Sequence, residues 1–157
     1  MRAPYLTSLI ALPFILSAPA PAQEAAKPEE AKPAIVHLAA TLTGANEVDA
    51  QGAGGKGDSD GTGSFSAKLD PKERKLCYTL TSTGIDDPTM AHIHAGAAGV
   101  NGPVTVGLPD LDAGEHCQDI DKERADQITA KPGDFYVNIH NGDFPGGAVR
   151  GQLTKKD

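Results

Sequence analysis

Aromatic residues make up only 4% of the 157 residues, and tryptophan is absent. A core built on stacked rings is thereby excluded, and Val, Ile, Leu and Ala must fill the interior. No apolar run is long enough to span a bilayer. The longest, Leu6 to Leu16, falls short of the ~20 residues required and is broken by proline. No cluster of Lys and Arg with interleaved aromatics appears, and the net charge of -7 repels phosphate backbones, so nucleic acid is not a partner. Cysteine is scarce too: Cys77 and Cys117 are the only two, and no Cys-x-x-Cys spacing offers a zinc ribbon or a redox motif. Nucleophilic triads and paired carboxylates suited to acid–base work are missing. The glycines from Gly96 to Gly102 lack the lysine and following helix of a phosphate-binding loop. No catalytic residue is assigned, and whether the chain is an enzyme stays open, with a non-catalytic role expected ahead of an enzymatic one.

What is present begins with an export signature. Arg2 is a minimal positive start, Leu6 to Leu16 an apolar stretch, and Ala20-Pro21-Ala22 a small-x-small cleavage pattern. Residues 1–22 are therefore expected to be a signal peptide, leaving a periplasmic or extracellular chain that starts at Gln23. Loss of Arg2 takes the net charge from -7 to -8. Residues 23–34 are charged and rich in Pro and Ala with no apolar face, so they are expected to form a disordered linker. In an oxidising compartment the two cysteines have one intrachain pairing available, Cys77–Cys117. Closing that loop contributes about 4 kcal/mol in the chain-entropy treatment. Such a staple matters in a chain with 18 glycines and a thin apolar core.

Residues 35–154 read as one domain of short alternating strands. Ile35 to Thr43 places Val36, Leu38, Ala40 and Leu42 on one face and His37 on the other. Residues 51–63, dense in glycine, read as a flexible loop in which Asp58 and Asp60 are solvated turn acids. Thr62 to Leu69 and Lys75 to Ser82 alternate in turn and are joined by Asp70-Pro71-Lys72, which predicts an antiparallel hairpin. Val104, Val106 and Leu108 mark a further strand. Asp121 caps the one predicted helix, which Pro132-Gly133 terminates. Phe135–His140 and Ala148–Thr154 are the last strands. The expected fold is all-β, an antiparallel Greek-key sandwich or barrel with one short helix.

Within this frame Ala91-His-Ile-His-Ala-Gly carries the chemistry. As a strand it points Ala91, Ile93 and Ala95 one way, and His92 and His94 the other. In Phe135-Tyr-Val-Asn-Ile-His140 the same logic sends Phe135, Val137 and Ile139 to the core, with Tyr136, Asn138 and His140 opposite. If the two strands are neighbours, three imidazoles meet on one outward face. That donor set suits copper or zinc, with the fourth position open to water or filled by His116 or Asp143. The competing reading has the three histidines donating hydrogen bonds to turn carbonyls, with no ion. His116, beside Cys117, also reads simply as a loop residue. Arg150 either presents its fork to an anion or forms an internal salt bridge, with Asp143 or Asp134 as the candidate acids.

These stretches, His92-Ile-His94 through Gly102-Pro103-Val104 and Phe135 through Leu153, together with Leu42-Thr-Gly-Ala-Asn-Glu-Val48, closely resemble the CHRD (chordin) domain. The resemblance implies an all-β Greek-key or immunoglobulin-like domain of the kind found in animal chordin and in exported microbial proteins. Chordin's growth-factor binding does not carry over, since it is attributed to other modules. A His-x-His pair on a strand and the stretch Gly146-Gly-Ala-Val-Arg150 are also similar to features of the superoxide-dismutase-like barrel. That likeness sets no activity, and the His/Asp bridging set for a second metal is missing. The first expectation is an exported domain that binds copper or zinc. The second is a non-catalytic adhesion or protein-interaction module of the envelope with structural histidines, its partner unknown. An oxidoreductase resembling superoxide dismutase ranks behind both.

Overall fold

A computed structural model describes residues 35–156 of the chain. The readings of residues 1–22 as a signal and 23–34 as a linker lie outside the described residues. Nine strands follow in order: β1 (Val36–Thr43), β2 (Thr62–Asp70), β3 (Lys75–Thr83), β4 (Met90–Ala95), β5 (Val104–Gly107), β6 (His116–Asp119), β7 (Phe135–His140), β8 (Val149–Gln152) and β9 (Thr154–Lys156). The one α-helix, α1 (Lys122–Ala130), lies between β6 and β7. The fold is all-β with a short helix, as the alternation predicts.

The strands form one antiparallel sheet in the order β5-β4-β7-β8-β1-β2-β3-β6, with β9 pairing β1 beyond β8. The β1–β2–β3 meander is in unbroken register. It places Leu38 opposite Ala67, Ala40 opposite Phe65, and Phe65 opposite Leu80. β3 to β4 and β5 to β6 cross from one half of the sheet to the other, a winding of Greek-key kind. The sheet curls into a half barrel, and one apolar core holds Leu38, Leu42, Phe65, Leu76 and Leu80 from one half with Ile93, Val137, Ile139 and Val149 from the other. At the far edges β6 meets β5 through a side chain, Gln118 Nε2 donating to the Gly107 carbonyl at 2.8 Å.

Local chemistry explains the element ends. The Asp121 carboxylate accepts from Arg124 N at 2.9 Å and so caps α1, whose Ala125 and Ile128 close the core. Leu153 splits the last predicted strand, just past a close approach at Gly151. A side chain at Gly151 would collide with the Thr41 carbonyl, while Leu153 turns into the core and its N–H donates to Phe135 O at 2.9 Å. The chain therefore leaves β8 and rejoins β1 as β9.

Strand β6 carries no apolar alternation. It is held by pairing with β3, where Cys77 stands directly opposite Cys117 and is disulfide-bonded to it. Replacing both cysteines by serine is expected to lower unfolding stability by about 4 kcal/mol in urea titration, the value for a loop of this length. Amide-exchange protection should disappear first in β6, because little apolar burial retains that strand once the bond is gone.

Candidate metal centre

β4 and β7 pair in a register that sets Met90 opposite His140, His92 opposite Asn138, and His94 opposite Tyr136. Ala91, Ile93, Val137 and Ile139 occupy the core side, so alternation sends both histidine rows to the other side. That side is not the outward surface expected from the sequence. All six residues of β7 are buried, because two loops cover its polar face. One is the segment from Gly44 to Asp58, anchored by Asp58 N to the Ala148 carbonyl at 2.8 Å. The other runs from Gly96 to Pro103. Tight packing is what Gly44 and Gly57 of the first loop supply: a side chain at Gly44 would strike the Asp58 carbonyl, and one at Gly57 the Ala148 carbonyl and the Glu47 side chain. The result is a second, polar layer, in which Glu47, His94, Asn138, His140, Asn141 and Arg150 are all buried.

Each buried imidazole is oriented by a carbonyl. His94 Nδ1 lies 2.9 Å from Gly102 O, and His140 Nδ1 lies 3.0 Å from Pro145 O. A carbonyl can only accept, so both rings carry their proton on Nδ1 and turn the Nε2 lone pair inward. His94 Nε2 is buried without a hydrogen-bond partner. His140 Nε2 stands 3.2 Å from His92 Nδ1 and 3.1 Å from the end of the Asn138 side chain, which must turn its amide N–H rather than its oxygen to an unprotonated ring nitrogen. With His140 Nε2 as acceptor, His92 Nδ1 is the donor between the two rings. One nitrogen from each of the three rings falls within 4.8 Å of the others. Tetrahedral ligands at 2.0–2.1 Å from one ion stand ~3.4 Å apart, so a common ion requires the rings to close by up to about 1.4 Å. Burial holds all three imidazoles below the ordinary histidine range, and the neighbouring histidines add to the effect at His92 and His140. Neutral rings are the form in which a cation is bound.

Behind the histidines the layer is stacked and clamped. Tyr136 lies parallel to His94, ring centres 4.8 Å apart, and the Arg150 guanidinium carbon is 3.4 Å from the Tyr136 ring centre. Arg150 Nη2 donates to Ala97 O at 3.0 Å and Val100 O at 2.8 Å, while Nη1 donates to Asn101 Oδ1 at 3.2 Å. Asn101 in turn donates to Val48 O and Asp49 O, so Arg150 ties both covering loops to β8. The same loop presents the Gly102 carbonyl that orients His94. Arg150 is thus a positioning residue two steps from the imidazoles.

Several sequence-based assignments change here. Arg150 makes no ion pair within bonding range of Asp143 or Asp134. Its fork goes to carbonyls, and its electrostatic counterpart is Glu47. His116 belongs to β6, where Nε2 lies 2.6 Å from Asp112 Oδ1 and Nδ1 3.6 Å from Asp110 Oδ2. It is a strand residue engaged by two acids, neither a loop residue nor part of the three-histidine group. Asp143 also stands outside that group and lines a groove with Ile85, Asp86, Asp87 and Thr89. His37 is exposed, as its face predicts.

Glu47 is the site residue that alternation does not find. It is 2% exposed, lies under Gly147 so closely that any side chain there would overlap its carboxylate, and leaves Oε1 without a partner. Burial pushes its carboxyl up to about 7, against the lowering effects of Arg150, the Val48 N–H and Asn138. Its only signal in the sequence is an acid set among small turn residues, Gly44-Ala-Asn-Glu47.

A family model described as the CHRD domain matches residues 38–153. No curated protein and no solved structure matches the chain.

Two outcomes are expected. Glu47 favours folding in its protonated form, so its contribution is complete below the ordinary carboxyl value of 4.5 and is lost as the pH climbs to about 7. The loss amounts to about 3 kcal/mol. The three histidines act in the opposite sense, losing stability as the pH falls below 6.5. The melting temperature of Glu47→Gln minus that of the wild type should therefore rise from pH 5 to about 7 and level off above it. A flat difference would assign Glu47 an ordinary carboxyl. Arg150→Ala should cost roughly 3 kcal/mol in urea titration, since it unstacks Tyr136 and leaves Glu47 without its counter-charge. Arg150→Lys should recover little of that loss, because an ammonium cannot span three acceptors on one loop.

Proposed function

The chain belongs to the CHRD domain family, and from that premise we propose that it is an exported domain that binds a transition-metal ion, copper or zinc, through His92, His94 and His140. The observation that carries this reading is the His94 Nε2 lone pair. It is buried and unpartnered, with its ring proton committed to the Gly102 carbonyl on the far side. An unsatisfied buried acceptor costs roughly 1–3 kcal/mol, a cost that a cation removes. The backbone carbonyls at Gly102 and Pro145 play the part that outer acceptors play around metal-bound imidazoles, fixing the tautomer and the ring plane. The role is sequestration or handling of the ion; no general base or nucleophile is placed beside it. The Cys77–Cys117 bond and the absence of a helix long and apolar enough to cross a membrane among the described residues agree with export.

One observation favours a second reading. His94 and His140 already tie Gly102 and Pro145 to the sheet, and His92 reaches His140, so the same rings could serve only as braces for an envelope interaction module.

Titration of the purified, metal-stripped protein with Cu(II) and with Zn(II), followed by melting temperature, separates the two. At a free ion concentration about one hundred times Kd, binding raises stability by about 2.7 kcal/mol. The His92→Ala, His94→Ala double variant should lose that rise. If neither ion moves the wild-type transition, while His94→Ala alone still lowers it, the histidines are braces.

A further inference from the structure

The three-histidine group opens toward solvent at one end. Along β4 the row facing the polar layer is Met90, His92, His94, and its exposure falls in that order, from 48% at Met90 through a half-buried His92 to 9% at His94. The closed end is occupied by Tyr136, Arg150 and the covering loops, and a guanidinium there repels any additional cationic occupant. A fourth ligand must therefore approach from the open end. His116 and Asp143, the two residues the sequence offers for that position, lie outside the group.

Met90 stands at the open end. Strand alternation puts it on the same face as His92 and His94, and the register sets it directly opposite His140. Directly opposed residues have Cβ atoms about 4.5–5.5 Å apart, within reach of a long unbranched side chain that meets the neighbouring ring. Besides Met1 it is the only methionine in the chain, and it is one of four large apolar residues left exposed among the described residues. A flexible apolar residue on solvent contributes little to the core, yet its thioether is a soft donor whose three rotatable bonds let it swing over the imidazoles. A soft sulfur selects Cu(I) over Zn(II) and Cu(II), which imidazole and oxygen donors satisfy equally well.

We infer that Met90 is the fourth ligand and that the site is a three-histidine, one-methionine site for Cu(I). The inference rests on the histidine site proposed above and specifies which ion it is built for. Nothing is oxidised or reduced: Cu(I) enters as the ion, the Met90 thioether and the imidazoles each donate a lone pair, and His92 shifts its ring proton from Nδ1 to Nε2.

The experiment is a competition between the full protein and a chromophoric Cu(I) chelator, under anaerobic ascorbate, which leaves the Cys77–Cys117 bond intact. It is run on the wild type, Met90→Leu, Asp143→Asn and the His92→Ala, His94→Ala double variant, with Zn(II) affinity measured in parallel. Leucine matches methionine in size at an exposed strand position, so the fold is preserved. Met90→Leu should weaken Cu(I) by about tenfold or more while leaving Zn(II) within about twofold. X-ray absorption of the Cu(I) form should show one sulfur neighbour that Met90→Leu removes. Equal Cu(I) affinity in wild type and Met90→Leu overturns the inference, as does a loss seen with Asp143→Asn instead. Binding of Zn(II) or Cu(II) without Cu(I) overturns it while the histidine site stands. Failure of every ion to bind overturns both.

Discussion

Strand β7 is buried on both faces, and that constraint organises the molecule. Phe135, Val137 and Ile139 meet the apolar core, while Tyr136, Asn138 and His140 meet a polar layer sealed by loops. Polar side chains removed from water must find partners within the protein, or each costs on the order of a kilocalorie or more. Around β7 most of them do. Arg150 satisfies three acceptors and covers Tyr136, and the two buried imidazoles spend their protons on carbonyls. The atoms left over are informative for that reason. Glu47 Oε1, His94 Nε2 and Asn141 Nδ2 remain unpaired in the same layer, and burial pushes the Glu47 carboxyl up to about 7.

The two halves of the sheet divide the labour. β1, β2 and β3 form a long, regular meander that supplies ten of the 22 buried core residues, while the polar layer is built on β4, β7 and β8 together with Glu47 from the loop after β1. The covering loops owe their closeness to glycine at points where no Cβ fits: Gly44 lies against the Asp58 carbonyl and Gly102 against the Ala95 carbonyl, while Gly147, at φ 134°, lies over Glu47. The thin, ring-poor core is offset by this second layer. Stacking that is scarce in the interior reappears on the other side of β7, where an imidazole, a phenol ring and a guanidinium lie in sequence.

Much of this was legible in the order of residues. Strict alternation located β1 to β4 and β7 to within a residue or so, and the Asp121 cap with Pro132-Gly133 bounded the helix. The convergence of His92, His94 and His140 followed from the same period of two, once their strands proved to be neighbours. Strand β6 was not legible, because His116-Cys-Gln-Asp119 has no apolar face and is a strand only by virtue of its partner and its disulfide. Nor was the covering of the histidine face. Alternation reports which side chains share a side, but it carries no information on whether a distant loop folds over them. Glu47 and the carbonyl ligands of Arg150 belong to that non-local class, and an acid in a glycine-rich turn looks the same in sequence whether it is solvated or sealed.

The curl of the sheet brings its two outermost ribbons, β5 and β6, alongside each other, joined by the Gln118 amide. Unsatisfied backbone groups along a free margin are what neighbouring molecules use to add strands and grow fibrils. Here the Gln118 amide ties one margin to the other, and the bond between Cys77 and Cys117 keeps the β6 margin on β3. The disulfide thus guards against strand addition at that margin as well as against unfolding.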